Sequence, residues 1–503
     1  MRRISADTVV IGSGFAGTLV ARGLARAGQP VTILERGSFV PWQEQVRTRR
    51  WEREGPTTAH NHECDPDGRP WEWEYVYGVG GTSNAWSGNT PRLLPEDFEL
   101  RSRYGIARDW PFSYEELEPH YAEAEAALGV AGLRSALPPH PFSPQDEALA
   151  PLLEPFIPMP QARPTVAVRG RPACSGAADC MYCPEDSRFT VLNGLFDVLS
   201  HPGVELLDET VAARLVTAGS RGRVAAVECI RASGERFAID ADRVVVAANA
   251  IESAGLLLRS GMDHGDAGRN LLDHRFADVV VHTDTPVGPG RGSSLTTGAS
   301  YAYYSGAFRS ERAGVLIYPR NPGAGLPAET MMRELVAGRR GAALRRAVLD
   351  DWERTLRLVL SPDELPNPAS RITLSPRPDA FGLPLNRVEF SEPSEYQQRA
   401  IRHVVEDLPK RLAPLGVRDV SLVYPRGGSH SIGTLRMGTD PDAVVDPDGR
   451  HRQYENLFVA GGAVFPSLSP SHPTLTIAAL ALRLGASLAR EGSASCVALE
   501  PGG

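Results

Sequence analysis

Ala6-Asp7-Thr8-Val9-Val10-Ile11-Gly12-Ser13-Gly14-Phe15-Ala16-Gly17 is the stretch whose reading decides the fold. A short β-branched run ends in Gly12, Gly14 and Gly17. A small-residue, helix-compatible segment from Thr18 to Ala27 follows and is closed by Gly28. Pro30 to Leu34 is a second strand running into Glu35 and Arg36. Strand, glycine turn, helix, strand and acid in this order make a βαβ unit. Glycines allow the tight turn and let backbone approach a pyrophosphate, which then meets free N–H groups and the positive end of the helix dipole. Glu35, 18 residues beyond Gly17, is placed to accept hydrogen bonds from a ribose. The unit predicts a bound dinucleotide.

Working outward, a second glycine cluster, Gly78-Val79-Gly80-Gly81-Thr82-Ser83-Asn84-Ala85-Trp86-Ser87-Gly88, lies some 60 residues on. Arg243 to Ala248 reads as a buried strand leading into Asn249. One nucleotide fold assembled from such distant pieces, with other sequence between them, points to a flavin rather than a nicotinamide. Runs at Phe276–His282, Ser300–Tyr304, Val315–Tyr318, Arg371–Leu374 and Arg387–Phe390 predict an antiparallel sheet carrying the substrate wall. Met331 to Leu360 reads as helical, with its arginines on a solvated face or lid. Asn456 to Leu482 lacks Asp, Glu, Lys and Arg, but Pro466, Pro470 and Pro473 interrupt it. It reads as strand, turn and helix rather than a membrane span.

The fold class expected is therefore α/β, in the two-domain α+β sense: a Rossmann-like domain and an antiparallel-sheet substrate domain. The boundaries expected are 1–274 with 430–503 for the nucleotide domain, including a cysteine-containing loop region at 150–200. Residues 275–429 are expected to form the substrate domain, with 430–503 as the C-terminal catalytic segment.

Composition narrows the partners. A net charge of −8 over 503 residues argues against nucleic acid, which demands a basic face. Lys410 is the sole lysine among 53 basic residues, a bias expected of GC-rich bacterial coding. The Met1-Arg2-Arg3 start imitates a signal peptide, but Asp7 and the glycines interrupt it, so a cytoplasmic enzyme without membrane association is expected. Six cysteines in so long a chain are no disulfide framework. Cys174, Cys180 and Cys183, with His60, His62 and Cys64, could be drawn as a zinc site. A loop with buried thiols is the reading adopted, and no metal is expected.

The chemistry sits near the C-terminus. Ser429-His430-Ser431-Ile432-Gly433-Thr434 is followed by Asn456-Leu457-Phe458-Val459-Ala460-Gly461-Gly462-Ala463 and Ser471-His472-Pro473-Thr474-Leu475. With the opening βαβ unit, the Gly80-Gly81 loop and Gly268-Arg269-Asn270-Leu271-Leu272-Asp273-His274, these motifs resemble the glucose–methanol–choline (GMC) flavin oxidoreductases over nearly the whole chain. Asp109-Trp110-Pro111 and Asn367-Pro368 resemble the branch of pyranose oxidase and the sugar-acid dehydrogenases.

The resemblance implies FAD and the oxidation of an alcohol. His430 and His472, 42 residues apart, take the positions of the family's catalytic pair. A neutral imidazole accepts a proton near pH 7. One takes the hydroxyl proton while hydride leaves for flavin N5, and the other holds the substrate oxygen. His430 is assigned as base and His472 as partner, with the reverse left open. The cofactor residues implied are Gly12, Gly14, Gly17, Glu35, Arg36, Gly80, Gly81, Ser83, Asn84 and Ala85, with Val211 against adenine. Ala248, Asn249, Gly462, Ala463, Pro473, Thr474 and Leu475 complete them. Some relatives tether FAD to a histidine where Ala85 stands here, so non-covalent FAD is expected.

The substrate expected is a small-molecule alcohol, a sugar-like or aminoglycoside primary hydroxymethyl group taken to aldehyde and on to acid where the hydrated aldehyde fits. For a cationic aminosugar, Asp363 and Glu364 are the candidate carboxylates. The electron acceptor is O2 or another oxidant. The alternatives carried are an oxidase of a simple sugar or other alcohol, an amine or sterol oxidase, and a redox-inert flavin-binding protein.

Overall fold

The computed structural model describes residues 1–49, 62–64, 71–176, 180–217, 222–290, 296–321, 326–424 and 427–497. Its first unit is strand β1 (Arg2–Ile11), helix α1 (Phe15–Arg26) and strand β2 (Val31–Leu34). β1 and β2 are parallel, with Val9 opposite Thr32. Parallel neighbours need a crossover, which α1 supplies. Where both faces of such a sheet are covered, its strands are buried on both sides. All four residues of β2 and the last four of β1 are accordingly buried.

The sheet grows on both sides of this unit. Its order is Val204–Leu207, β2, β1, Arg236–Val246, Val224–Arg231, Thr210–Thr217. The eleven-residue strand Arg236–Val246 pairs in parallel with β1 along one edge and serves two partners along the other. Its first half pairs antiparallel with Val224–Arg231, and its last residues pair parallel with Leu457–Val459. Thus the C-terminal segment enters the same sheet as the first strand, and the helix Thr474–Val497 packs on α1. The carboxyl ends of four strands converge at Gly12, Glu35, Ala247 and Ala460, where an open α/β sheet binds its ligand.

A separate six-stranded antiparallel sheet has the order Val417–Val423, Ala277–Thr283, Thr355–Pro362, Val315–Pro319, Gly298–Tyr303, Phe156–Pro158. Arg371–Pro378 and Pro384–Glu389, expected in the same layer, instead join a third sheet. Its other strands are His62–Cys64, Arg269–Leu272 and Ile432–Thr434. This third sheet therefore ties residues on both sides of 274 and 430 together. Phe156–Pro158 likewise leaves the 150–200 region for the antiparallel sheet.

The expected helix Met331–Leu360 is corrected to two helices, Leu326–Val336 and Gly341–Glu353, and the strand Thr355–Pro362. Gly338 and Gly341 adopt φ of 87° and 54° between the helices. Beyond them Thr355-Leu-Arg-Leu-Val-Leu360 is almost wholly buried as a central strand. A short apolar run has no periodicity to separate buried strand from buried helix. Among the described residues no helix is long and apolar enough to cross a membrane.

Candidate active site

A cavity of about 620 Å³ lies at these strand ends, bounded by both glycine loops, Glu35, the antiparallel sheet and the two histidines expected to act. Its floor is the first turn. Gly12 has φ 106°, and a Cβ there would sit 2.6 Å from the Ala247 carbonyl oxygen. Gly17 passes so close beneath that its Cβ would overlap the Gly12 carbonyl at 1.9 Å.

Gly14 tests whether FAD fits. It is the N-cap of α1, no side chain caps that helix end, and a Cβ there would meet nothing within 4 Å. The free N–H groups of the first turn therefore face open space, the donor set that a pyrophosphate needs. The residues present fit FAD.

Glu35 has a second duty. Its Oε2 accepts from the Ser13 N–H at 3.1 Å and the Ser13 hydroxyl at 2.7 Å. Its Oε1 accepts from Gly37 N at 2.9 Å and Gly78 N at 3.2 Å. The Ser13 hydroxyl in turn accepts from Gly80 N at 3.0 Å. Four donors occupy the roughly four lone-pair sites of a carboxylate. Glu35 thus clamps both glycine loops as well as lining the cavity, and burial pushes its carboxyl up. Ser13, which sequence reasoning passed over, is the joint.

The other expected cofactor residues divide into those on the wall and those behind it. Arg36, Gly81, Ala85, Val211, Ala248 and Asn249 line the cavity, as do Gly462, Pro473 and Thr474. Gly17, Gly80, Ser83, Asn84, Ala463 and Leu475 stand behind it. There the Ser83 hydroxyl donates to Gly80 O and accepts from Val191 N, and the Asn84 amide donates to Val79 O. Ala463 O holds Leu435 N at 2.9 Å, stitching the His430 segment to the Gly462 turn.

His430 and His472 both face the cavity, their ring centroids 4.8 Å apart. Each is anchored. The backbone N–H of His430 donates to Asp273 Oδ1 at 3.0 Å. Downstream, Thr434 takes a φ of 78°, rare for a β-branched residue, while its hydroxyl donates to Ala250 O at 2.8 Å. The His472 loop is pinned by Ser361, whose hydroxyl donates to Pro470 O, and by the Ser471 hydroxyl, which donates to Arg92 O. Nε2 of His472 is buried without a hydrogen-bond partner among the described residues. Phe276 and Tyr318 complete an apolar wall, with ring centroids 6.2 and 5.4 Å from His472.

A third imidazole joins them. Nδ1 of His274 lies 2.8 Å from Nδ1 of His430, and its Nε2 lies 2.8 Å from the Ser469 carbonyl oxygen. Burial lowers all three rings. His274 falls to about 4 and His472 to about 3, while His430 falls well below 6.5 by burial and then by its two neighbours. All three are neutral at pH 7 and able to accept protons. Burial pushes the adjacent Asp273 carboxyl up to about 7. The sequence showed His274 only within a family motif, 156 residues from His430.

Asp363 and Glu364 are placed differently from the expectation. Neither lines the cavity. Asp363 accepts from Arg309 Nη2 at 2.6 Å, in a buried cluster where Arg309 also donates to Glu96 and Asp97. Glu364 accepts from Arg275 Nε at 3.1 Å. Both carboxylates are engaged in the support of the wall. Of the drawn zinc ligands, His60 lies outside the described residues. Cys180 and Cys183 are buried, and Arg163 donates to Cys180 Sγ at 2.8 Å.

Known proteins share this arrangement of sequence. The GMC oxidoreductase family matches twice, over residues 161–276 and 366–481. Fructose dehydrogenase large subunit of Gluconobacter japonicus is 28% identical, over 95% of this chain and 97% of that protein. Paromamine 6'-oxidase of Streptomyces fradiae is 29% identical, over 95% and 90%. 6'''-Hydroxyparomomycin C oxidase of Streptomyces lividus is 28% identical, over 96% and 91%. Among solved structures, pyridoxine 4-oxidase from Mesorbium loti superposes with a TM-score of 0.63 at 19% identity, covering 96% of this chain and 99% of that one. Formate oxidase of Aspergillus oryzae gives 0.67 at 15%, covering 98% and 99%.

Proposed function

The chain belongs to the GMC oxidoreductases, FAD-dependent enzymes acting on alcohols, and on that premise we propose that it oxidises a sugar-like primary hydroxymethyl group to the aldehyde. FAD, when bound, supplies the two-electron acceptor. The glycine turn, braced by Glu35, and Val211 hold it without a covalent bond, because the Ala85 methyl offers no nucleophile. The observation that carries the reading is the pair of neutral imidazoles on one cavity wall, 4.8 Å apart. His430 removes the hydroxyl proton, and His472 hydrogen-bonds the same oxygen and keeps its position. Phe276 and Tyr318 keep bulk water from the reacting carbon.

The relatives that oxidise paromamine and hydroxyparomomycin C support an aminoglycoside, and the relative named for fructose supports a neutral sugar. Asp363 and Glu364, the carboxylates offered for a cationic aminosugar, are paired with arginines away from the cavity, whereas Glu74 and Arg320 both line it. Further oxidation to the acid belongs to the same reading, as does O2 or another oxidant as acceptor, in the cytoplasm. The test is the visible spectrum under anaerobic conditions with a panel of hexoses and aminosugars, followed by product mass. Bleaching by hydroxymethyl sugars supports the reading. A flavin that no alcohol bleaches removes it in favour of a redox-inert flavoprotein.

A further inference from the structure

The nitrogen of His274 facing Ser469 has no choice of role. A carbonyl oxygen only accepts, so the ring nitrogen 2.8 Å from it must carry hydrogen. A neutral imidazole has one N–H, which leaves Nδ1 of His274 bare. That lone pair stands 2.8 Å from Nδ1 of His430. Two bare nitrogens at this distance would repel, so Nδ1 of His430 must be the donor. Its own single hydrogen is then spent, and Nε2 is bare.

We propose that His274 is a positioning residue that fixes the tautomer of His430, making Nε2 of His430 the atom that accepts the substrate's hydroxyl proton. This rests on the reading of His430 as base and adds which nitrogen acts and what selects it. The string runs one way: the Ser469 carbonyl, Nε2–H and Nδ1 of His274, Nδ1–H and Nε2 of His430. Phe276 stacks on the His274 ring at 5.5 Å and 15°, restraining its rotation. His472 is no substitute, since no hydrogen bond joins it to His430 among the described residues. When Nε2 takes a proton, the imidazolium donates more strongly to His274, stabilising the positive charge without a carboxylate. The titratable side chains facing His430 are His274 and His472. Asp273 touches it through the backbone and is itself beside Glu364 and Arg275.

The test begins with holoenzyme labelled with 15N-histidine, the His430 signals being assigned by their loss in H430N. The expected spectrum has Nδ1 of His430 in the protonated, pyrrole-type range and Nε2 in the bare, pyridine-type range. The reverse pattern overturns the proposal whatever the enzyme turns over. In H274L, kcat is expected to fall by about 100-fold, a typical share for general-base catalysis, with KM little changed and FAD retained. H274N, whose amide oxygen stands near the lost Nδ1, is expected to recover most of that loss. Wild-type kcat in H274L also overturns the proposal. Should H274L fail to fold, the wild-type spectrum still decides. Should no alcohol be oxidised, the functional reading falls while the nitrogen spectrum continues to report the tautomer.

Discussion

The hydroxyl and the backbone N–H of Ser13 both donate to one carboxylate oxygen of Glu35, at 2.7 and 3.1 Å. Through Gly37, Gly78 and the Ser13–Gly80 bond, that carboxylate locks two glycine loops whose sequences lie more than 60 residues apart. A residue that served only a ribose would matter only when FAD is present. Glu35→Ala should therefore lower the melting temperature of the FAD-free protein as well. Leaving these buried donors unpaired costs about 1–3 kcal/mol per group. Thermal melts of apo and holo protein check this. An apo melt unchanged from wild type would return Glu35 to a purely ribose-binding role.

Ala85 stands on the cavity wall where some relatives carry the tethering histidine. Acid precipitation should leave a colourless pellet and release the flavin to the supernatant, and mass spectrometry of the intact chain should show no added flavin. Yellow colour retained in the pellet would mean that another side chain serves as tether.

Arg309 is fully buried and holds Asp363, Asp97 and Glu96 together. Burial outweighs the arginine at Asp363, whose carboxyl is pushed up to about 6. Arg309 keeps Asp97 and Glu96 when Asp363 is removed, and only its Nη2 donor loses a partner, so Asp363→Ala should cost about 1–3 kcal/mol of stability. Its effect on turnover should be equal for cationic and neutral alcohols. A selective loss for aminosugars, measured as kcat/KM, would restore Asp363 as a substrate carboxylate.

What could be read from the sequence, and what could not, follows from range. The βαβ unit is local: Gly12, Gly17 and Glu35 lie within one crossover, and each has a steric or electrostatic reason for its identity. His430 and His472 were legible because each sits in its own dense motif. The His274 contact was not, because nothing near position 274 records a neighbour 156 residues away. Asp363 and Glu364 misled for a related reason. An acidic pair before Pro366 looks like an exposed turn, yet arginines from Arg275 and Arg309 bury it. The strand Thr355–Pro362 read as helix because its two neighbours in the sheet come from elsewhere in the chain.

Finally, three buried neutral imidazoles set the acid behaviour. In the unfolded chain a histidine titrates near 6.5. In the fold His274 is lowered to about 4 and His472 to about 3. As pH falls below 6.5 the unfolded state takes up these protons first, so stability is full above 6.5 and is lost as pH falls toward the folded values. The loss should be on the order of 3 kcal/mol per histidine at most by pH 4, and a melting series should show a smaller fall in an H274N/H472N double variant. His430, lowered too, stays competent as a base below pH 6.5. The acid limb of kcat/KM should therefore lie below 6.5, in the range where the protein is still folded. In H274D a carboxylate would stand beside Nδ1 of His430, favour the imidazolium, and move that limb upward. An acid limb at or above 6.5 in the wild type would mean that the base is not the buried imidazole of His430.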